Sequence, residues 1–415
     1  MNMAETSIPQ EAGPSVGDIF VARQPIFDAG LSVYAYELLY RSGATGVANV
    51  TDGNAATSQV MINAFLGIGM ETLTDNRLSF INLTREFIVG QLPMPLPPEV
   101  VVLEILEDIE VDEELLSALK AFSQRGYTIA LDDYVFEDDK TPLFDIIDIV
   151  KIDLMECDRE RLEDEVERLK SHGVKLLAEK VETQEEFELC KALGFDYYQG
   201  YFFSKPKILS GQSLKDNRVS LMKILATLQD PNCDVSELEL LIKQDVSISY
   251  KILRIINSAF YNLQREINSV KQAIVALGLK TIREWLTVIT LTDIDDKPPE
   301  LILACLQRAR MLQTLSKAAG LNEDAGFTAG LFSSLDALMD QPMDEVLGAL
   351  PLTEELKEAL LKREGNLGTL LQTAMNYERG DWQGIDLASP MSAELNECYL
   401  ESLSWASELV SRLKT

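Results

Sequence analysis

The stretch TIALDDY (128–134) ends an apolar run with two adjacent carboxylates, Asp132 and Asp133. Two neighbouring negative charges repel each other unless a positive group lies beside them. Hard divalent cations such as Mg²⁺ and Mn²⁺ prefer oxygen ligands, and two such ions neutralise a cluster of acids. Three further oxygen-bearing side chains suit the same site: Glu37, Asn82 and Glu104. These residue types predict a centre for two divalent cations.

Two more residues suit hydrolytic chemistry at such a centre. A pair of metal ions can turn a water into hydroxide and stabilise an in-line displacement at phosphorus. Lys151 adds a positive charge that can hold a phosphate or the attacking water. Glu179 can serve as a further ligand or as a proton acceptor. The predicted chemistry is therefore a metal-assisted displacement at phosphorus by water.

The chain has few residues that could support catalysis or metal binding by histidine or cysteine. The single histidine, His172, lies in LKSHGVK, where a predicted helix ends before Gly173 and its dipole favours a basic side chain. The five cysteines are scattered and form no CxxC pair, which indicates free thiols. Catalytic triads, zinc sites and a disulfide framework are thus disfavoured, and hydrolysis must depend on carboxylates, amides, lysine and metal.

The elements that carry these residues alternate between short apolar runs and amphipathic stretches, a pattern typical of parallel strands with crossover helices. The runs are 78–83, 101–106, 128–133, 149–154, 174–179 and 197–203. A polar residue lies near the end of run after run, including Lys151, Glu179 and Gln199. Each carboxylate alone could merely cap the next helix. The repetition favours a TIM-like α/β barrel with its site at the C-terminal mouth.

The chain divides into four predicted segments. A length of 415 residues exceeds one ordinary core. Residues 1–17 are expected to be a flexible leader, and the barrel is expected to begin with a hairpin around Ala29 and Gly30. The barrel domain spans 18–206, and a polar linker spans 207–218. Helical periodicity from 219 to 415 predicts an all-α second domain.

Charge and hydropathy narrow the classes of partner and location. A net charge of −30 repels nucleic acid and anionic membranes, so we expect neither as a partner. No apolar run is long enough to span a bilayer, and the N-terminus lacks the basic start and apolar stretch of a signal peptide. These features predict a cytoplasmic protein.

The first domain resembles the EAL family. The motifs that carry the resemblance occur in order and are YELLYR (36–41), FINL (80–83), LEILE (103–107), LDDY (131–134), VKID (150–153), AEKVE (178–182) and YYQGYFFSKP (197–206). The resemblance implies a TIM-like barrel that hydrolyses cyclic di-GMP to linear pGpG with two Mg²⁺ or Mn²⁺ ions.

The resemblance also implies roles for individual residues. The positions that match the family's metal ligands are Glu37, Asn82, Glu104, Asp132, Asp133 and Glu179. Lys151 matches the lysine that helps to activate water, so Lys151, Glu179 and Glu37 form the expected catalytic set. Gln199 matches the supporting glutamine, and Arg41 matches the arginine that contacts a ligand phosphate.

Departures from the family pattern keep a second function open. The family's glycine-containing DDFG loop reads DDYVFEDDK (132–140), although Glu107, which matches the anchor of that loop, is retained. Lys180 stands where the family has glycine. A barrel with its ligands kept and its loop changed could hydrolyse slowly, or could act only as a cyclic di-GMP receptor or protein-interaction adaptor.

The second half resembles the HDOD family through QDVSISYKILRIINSAFYNLQREINSVKQAIVALG (244–278). The matching positions are Asp245, Lys251, Asn257, Ser258, Ser269, Ala273 and Gly278. HDOD domains are similar in fold to HD phosphohydrolases but lack their metal-binding set, and this half contains no histidine. The resemblance implies a regulatory domain that binds a protein partner. Asn257 and Ser258 could instead simply satisfy backbone groups. Because EAL domains often dimerise, we also expect a homodimer.

Overall fold

The computed structural model describes most of the chain from Ile19 onward. The described residues are 19–42, 65–90, 93–136, 138–202, 205, 224–228, 251–253, 256–257, 267, 269–292, 294, 297–385 and 392–414. The predicted leader (1–17) and linker (207–218) lie outside them, as do Asp245 and Ser258.

The N-terminal part is a closed eight-stranded barrel, as predicted. β1 pairs antiparallel with β2 in the predicted hairpin and antiparallel with β8, so β1 closes the ring. The remaining neighbours pair in parallel. The strands are β1 (Ile19–Asp28), β2 (Val33–Ser42), β3 (Leu78–Leu83), β4 (Val101–Ile105), β5 (Thr128–Leu131), β6 (Ile149–Asp153), β7 (Lys175–Glu179) and β8 (Tyr197–Gln199).

Helices follow the strands on the outside of the barrel. They are α1 (Met70–Thr74), α2 (Arg85–Val89), α3 (Glu113–Gln124), α4 (Leu162–Ser171) and α5 (Gln184–Leu193), with a 3₁₀ helix at Asp138–Leu143. The ends of α5 follow from its sequence. Thr183 and Glu186 form a reciprocal capping box, and Gly194 takes the left-handed conformation that ends the helix.

Eight side chains, one from each strand, form the apolar floor of the barrel. They are Ile26, Ala35, Phe80, Val102, Ala130, Ile149, Leu177 and Tyr197. Side chains alternate between the two faces of a strand, so the residue two positions further along also points inward. The position of this floor therefore decides which residue of each strand faces the mouth.

The described C-terminal part is helical, as predicted. Its helices are α6 (Val270–Leu277), α7 (Leu279–Thr292), α8 (Pro299–Ala318), α9 (Glu323–Phe332), α10 (Leu335–Met339), α11 (Met343–Gly348), α12 (Glu354–Lys362), α13 (Gly365–Glu378) and α14 (Ser392–Lys414), with a 3₁₀ turn at Trp382–Gly384. Within the described ranges, no helix is long and apolar enough to cross a membrane.

The helices pack onto the outer face of the hairpin through a buried polar network. The hydroxyl of Tyr36 donates to Glu300 at 3.0 Å, and the backbone NH of Arg23 donates to the hydroxyl of Tyr399 at 3.1 Å. The Arg23 guanidinium lies 4.1 Å from the centre of the Tyr36 ring. Burial raises the pKa of Glu300, while Arg23 acts to lower it. These contacts fix the helices to both strands of the hairpin, the first of which closes the barrel.

The chain segments that follow β7 and β8 cross closely at the mouth. Gly200 has a φ of 148°, and a Cβ there would overlap the backbone of Val181. The NH of Val181 donates to the carbonyl of Gln199 at 3.0 Å, which ties the ends of the two strands together. A glycine is therefore required beside Gln199 for steric reasons.

Substitution of Gly200 by alanine is expected to destabilise the fold by about 2–4 kcal/mol, because backbone atoms must move apart. Gly173→Ala is the matched control. Gly173 also has a positive φ, of 81°, but no atom lies within 4 Å of its would-be Cβ. The control should lose only about 1 kcal/mol. Thermal unfolding followed by circular dichroism measures both. Equal losses would contradict the steric account.

Candidate active site

Polar side chains occupy the position directly above the floor at all eight strands, on seven of the strands themselves and immediately after β5. Each lies two residues from its floor residue in the direction of the mouth, which for the antiparallel β1 means two residues earlier. We call this set the polar ring. It consists of Gln24, Glu37, Asn82, Glu104, Asp132, Lys151, Glu179 and Gln199.

The ammonium of Lys151 lies at the centre of this ring. Its Nζ is 2.6 Å from Asp132, 2.8 Å from Glu104, 2.9 Å from Glu179 and 3.6 Å from Glu37. An ammonium has three protons, so it cannot bond four carboxylates at once. The structure brings these five residues together and makes Lys151 the counter-ion of the acids.

The acids titrate abnormally because the barrel shields them from water. Burial raises the pKa of both Glu104 and Glu179 well above the usual range, although Lys151 opposes this effect. Burial alone would lower the pKa of Lys151, but the surrounding carboxylates, Asp132 foremost, raise it well above normal. Burial and the charge of Asp132 raise the pKa of Asp133 to about 6. One ammonium does not offset this cluster.

Backbone conformation explains how adjacent aspartates reach the same site. β5 ends at Leu131, and Asp133 has a φ of 42°, in the left-handed region that few residues other than glycine adopt. This turn replaces the alternation of a strand. Ligand oxygens of Asp132, Asp133 and Glu179 consequently lie within 4.8 Å of one another. Strain at a non-glycine residue is thus located at the predicted metal site.

The donor set fits divalent cations. Among the described residues, four buried oxygen acceptors of the ring have no hydrogen-bond donor: Asn82 Oδ1, Glu104 Oε2, Glu179 Oε2 and Gln199 Oε1. Buried acceptors are normally satisfied. In their ionised forms, the four carboxylates around Lys151 and Asp133 beside them have an excess of four negative charges over that one ammonium. Two divalent cations would match both the charge and the unsatisfied oxygens.

Gln199 holds Glu37 in place. Its Nε2 donates to Glu37 Oε2 at 2.6 Å and to Gln24 Oε1 at 3.0 Å. Gln24 is not among the residues predicted from the sequence, because β1 runs antiparallel and its mouth-facing residue precedes the apolar one. The signal was present in the hairpin register, which pairs Gln24 directly with Glu37.

Comparison with known proteins agrees with this geometry. The EAL domain model matches residues 55–206, and the HDOD domain model matches residues 217–345. The uncharacterized protein YuxH of Bacillus subtilis is 35% identical over 407 residues, which cover 94% of this chain and 99% of that protein. The chain belongs to the EAL–HDOD family. The EAL match begins after β2, and the structure shows that Gln24, Glu37 and Arg41 also lie in the barrel, on β1 and β2.

Two further similarities concern proteins with named ligands or activities. A Vibrio cholerae protein, the cyclic di-GMP phosphodiesterase CdgJ, is 35% identical over 373 residues, covering 88% of this chain and 86% of its own. The solved structure of the PaMucR phosphodiesterase with c-di-GMP is 17% identical, with a TM-score of 0.38, covering 44% of this chain and 94% of its own.

Arg41 lies near the rim of the EAL–HDOD barrel. It follows Glu37 by four residues on β2, which places both on the same side of the strand, with Arg41 further toward the mouth. Arg41 is partly exposed. A phosphate above the polar ring would therefore meet a cation at this edge.

The loop after β5 differs from the family pattern by being packed with aromatic side chains. Tyr134 and Phe136 are buried, and the Tyr134 ring contacts Phe136 and Phe144 edge-on at centroid distances of 5.8 and 5.5 Å. Phe136 has a φ of 63°. Glu107 is exposed. Instead, Lys140 ties this region to the carbonyl of Ile109 at 2.9 Å. Aromatic packing thus fixes a segment that is glycine-containing in the family.

Lys180, the other departure, forms an ion pair with the buried Asp153. It has a φ of 52°, the conformation that the family's glycine would adopt without strain. Its charge also acts on Asp133, whose pKa it lowers in part. Lys180 therefore adds positive charge beside the polar ring without occupying it.

The described HDOD residues support a structural role for Asn257. Its side chain accepts from the NH of Ile267 at 2.7 Å and donates to the carbonyl of the same residue at 2.8 Å. Ser269 caps α6 by accepting from Gln272, and Gly278 follows the helix with a φ of 85°. Asn257 therefore holds two backbone segments together, and Ser269 fixes the start of α6.

Asp133 gives the site a pH-dependent stability. Its pKa of about 6 lies above its ordinary value of 3.8, so the native state binds a proton that the unfolded chain has lost between these values. Asp133 therefore costs no stability below pH 3.8 and lowers stability as the pH rises through about 6.

Asp133→Asn should stabilise the metal-free protein at pH 7 by about 1 kcal/mol, discounted for partial exposure. At pH 4 the gain should nearly vanish. Urea unfolding at the two pH values, in the presence of a chelator, measures it. Asp164→Asn, on the exposed face of α4, is the control. A gain that is the same at both pH values would contradict the assignment.

Proposed function

We propose that the barrel hydrolyses cyclic di-GMP to linear pGpG, using two Mg²⁺ or Mn²⁺ ions. The observation that carries the proposal is the polar ring, with its unsatisfied oxygens and its excess of negative charge. The similarity to the Vibrio phosphodiesterase over most of both chains supports the choice of substrate. The ions would be held by Glu37, Asn82, Glu104, Asp132, Asp133 and Glu179.

The chain's own residues would prepare the reaction in three ways. When bound, the ions supply an activated water and neutralise charge that develops on the phosphate. Lys151, Glu179 and Glu37 form the proposed catalytic set. Lys151 holds the attacking water or a phosphate oxygen. Glu179, whose pKa is raised by burial, can accept a proton. Gln199 keeps Glu37 in place, and Arg41 contacts a ligand phosphate at the rim.

The reaction requires one bond to form and one to break at a single phosphorus. The oxygen of water bonds to phosphorus as a ribose oxygen leaves, and the leaving oxygen takes up a proton. The ring geometry suits this step because carboxylates that can accept the proton of the water lie within 3 Å of the ammonium that would hold it. The second phosphodiester bond of the nucleotide remains intact in pGpG.

The proposal also includes the division of the chain into domains. The barrel domain would span 18–206, a linker 207–218 and the HDOD domain 219–415. The HDOD domain would bind a protein partner and regulate the barrel, and two copies of the chain would form a homodimer. The many acidic residues behind the net charge of −30 support the absence of nucleic acid from the partners.

The aromatic loop favours a second candidate function, a cyclic di-GMP receptor without turnover. Tyr134 and Phe136 are packed where the family carries glycine, so the loop has less freedom to rearrange during catalysis. A receptor would use the same ring to bind nucleotide and metal and would transmit binding to the helices.

Glu37→Ala separates these functions. If the barrel is an enzyme, this change should lower pGpG formation with Mn²⁺ by at least about a hundredfold, because a ligand is lost. Product is measured by chromatography, and nucleotide binding by calorimetry. Glu110→Ala, at an exposed position, should leave turnover unchanged. Tight binding by the unmodified protein with no pGpG would instead establish the receptor.

A further inference from the structure

We propose that a corner of the helical region positions Glu37 through Gln24 and so sets the geometry of the barrel's site. The corner consists of residues 376–382, where α13 ends and the chain turns. It lies beyond the matched EAL and HDOD ranges. The inference rests on the proposed function only for its metal-binding readout.

A continuous chain of hydrogen bonds joins the corner to the polar ring. The side-chain Nε2 of Gln24 donates to the backbone carbonyl of Arg379 at 2.7 Å. Gln24 Oε1 accepts from Gln199 Nε2 at 3.0 Å, and the same Nε2 donates to Glu37 Oε2 at 2.6 Å. Both protons of the Gln199 amide are thereby used, which fixes its orientation and leaves Oε1 directed away from Glu37.

The corner is held against the barrel by close packing. Gly380 has a φ of 67°, and a Cβ there would lie within 3.3 Å of Leu39 Cβ and closer still to the end of that side chain. The ring of Phe20, on β1, packs against the rings of Tyr377 and Trp382, with distances of 6.4 and 6.2 Å between ring centroids. These contacts fix the height of the Arg379 carbonyl above β1.

The exposed Arg379 side chain adds a contact with the end of β8. Its guanidinium lies 4.7 Å from the centre of the Tyr201 ring. Tyr201 follows Gln199 by two residues, so the corner touches the segments that carry both Gln24 and Gln199. A shift of the corner would therefore displace the side-chain amides of both Gln24 and Gln199, which fix Glu37.

The rest of the interface is held independently of the corner. The bonds from Tyr36 to Glu300 and from Arg23 to Tyr399 involve α8 and α14 and lie on the outer face of the hairpin. A local displacement at Gly380 should thus leave the helices attached. The corner can act as a separate adjustable element, through which events in the helices alter the ion-binding geometry.

The experiment compares Gly380→Val with Gly320→Val. Both glycines have a similar positive φ, 67° and 70°, but only Gly380 faces Leu39, since nothing lies within 4 Å of the Cβ position at Gly320. Both changes carry the same backbone strain, and only the first displaces the corner. Gln24→Met, which keeps the length of the side chain and removes its hydrogen bonds, tests the connection without touching the corner.

Two readouts are measured on the full chain. The first is the Gln199 side-chain amide resonance in the metal-free protein, identified by its absence from Gln199→Met. The second is the affinity for Mn²⁺ alone by calorimetry. Gly380→Val and Gln24→Met should each shift the resonance and weaken Mn²⁺ binding about tenfold, as expected for the loss of a group that orients a ligand. Gly320→Val should change neither.

A double-mutant cycle distinguishes positioning from general damage. In the Gln24→Met background, Gly380→Val should weaken Mn²⁺ binding by less than about twofold, because the connection is already broken. An unmoved Gln199 resonance in Gly380→Val, or fully additive losses, would overturn the inference. If the unmodified protein binds no Mn²⁺ while the resonance still shifts, the metal-dependent function fails and the connection stands.

Discussion

The arrangement of the site follows from one constraint, which is that several carboxylates lie close together inside a closed barrel. Four carboxylates surround the buried ammonium of Lys151, and Asp133 lies beside them. In a low-dielectric interior, charges interact strongly and unpaired ones are expensive. The raised pKa values of Glu104 and Glu179 express this cost. The site can lower this electrostatic cost by taking up protons or divalent cations.

This constraint also explains why the supporting residues are amides. Gln199 and Gln24 present donors and acceptors without adding charge to an already unbalanced ring. A carboxylate in either place would increase the repulsion, and an ammonium would compete with metal ions. Neutral hydrogen bonds can therefore orient Glu37 without changing its charge.

The rest of the barrel and the helical half are both in contact with strand β1. β1 closes the ring of strands, and it is also the strand against which Tyr377, Trp382 and Tyr399 pack. Because a single strand contacts both the ring interior and the helices, the two regions are mechanically linked. In this EAL–HDOD chain the helical half therefore contacts the same strand that carries Gln24 of the polar ring.

The sequence determined the barrel, the helical second half and most of the ring. The alternation of apolar runs with amphipathic stretches, capping residues such as Thr183 and the seven ordered motifs are local features, and local features can be read along the chain. The sequence also located Asp132 and Asp133 at a strand end, because a hydrophobic run stopped there. Their side chains reach the same site, however, only because the backbone at Asp133 adopts the left-handed conformation, which the residue types do not predict.

Tertiary structure alone decided which groups partner one another. The contacts of Lys151 with four acids, of Gln24 with Gln199, and of Gln24 with Arg379 join strands and helices up to 355 residues apart. Such contacts depend on barrel closure and on the docking of α13 and α14, and no local pattern encodes a register between distant segments. The sequence specified the chemical groups, and the closed fold determined their distances, burial and protonation.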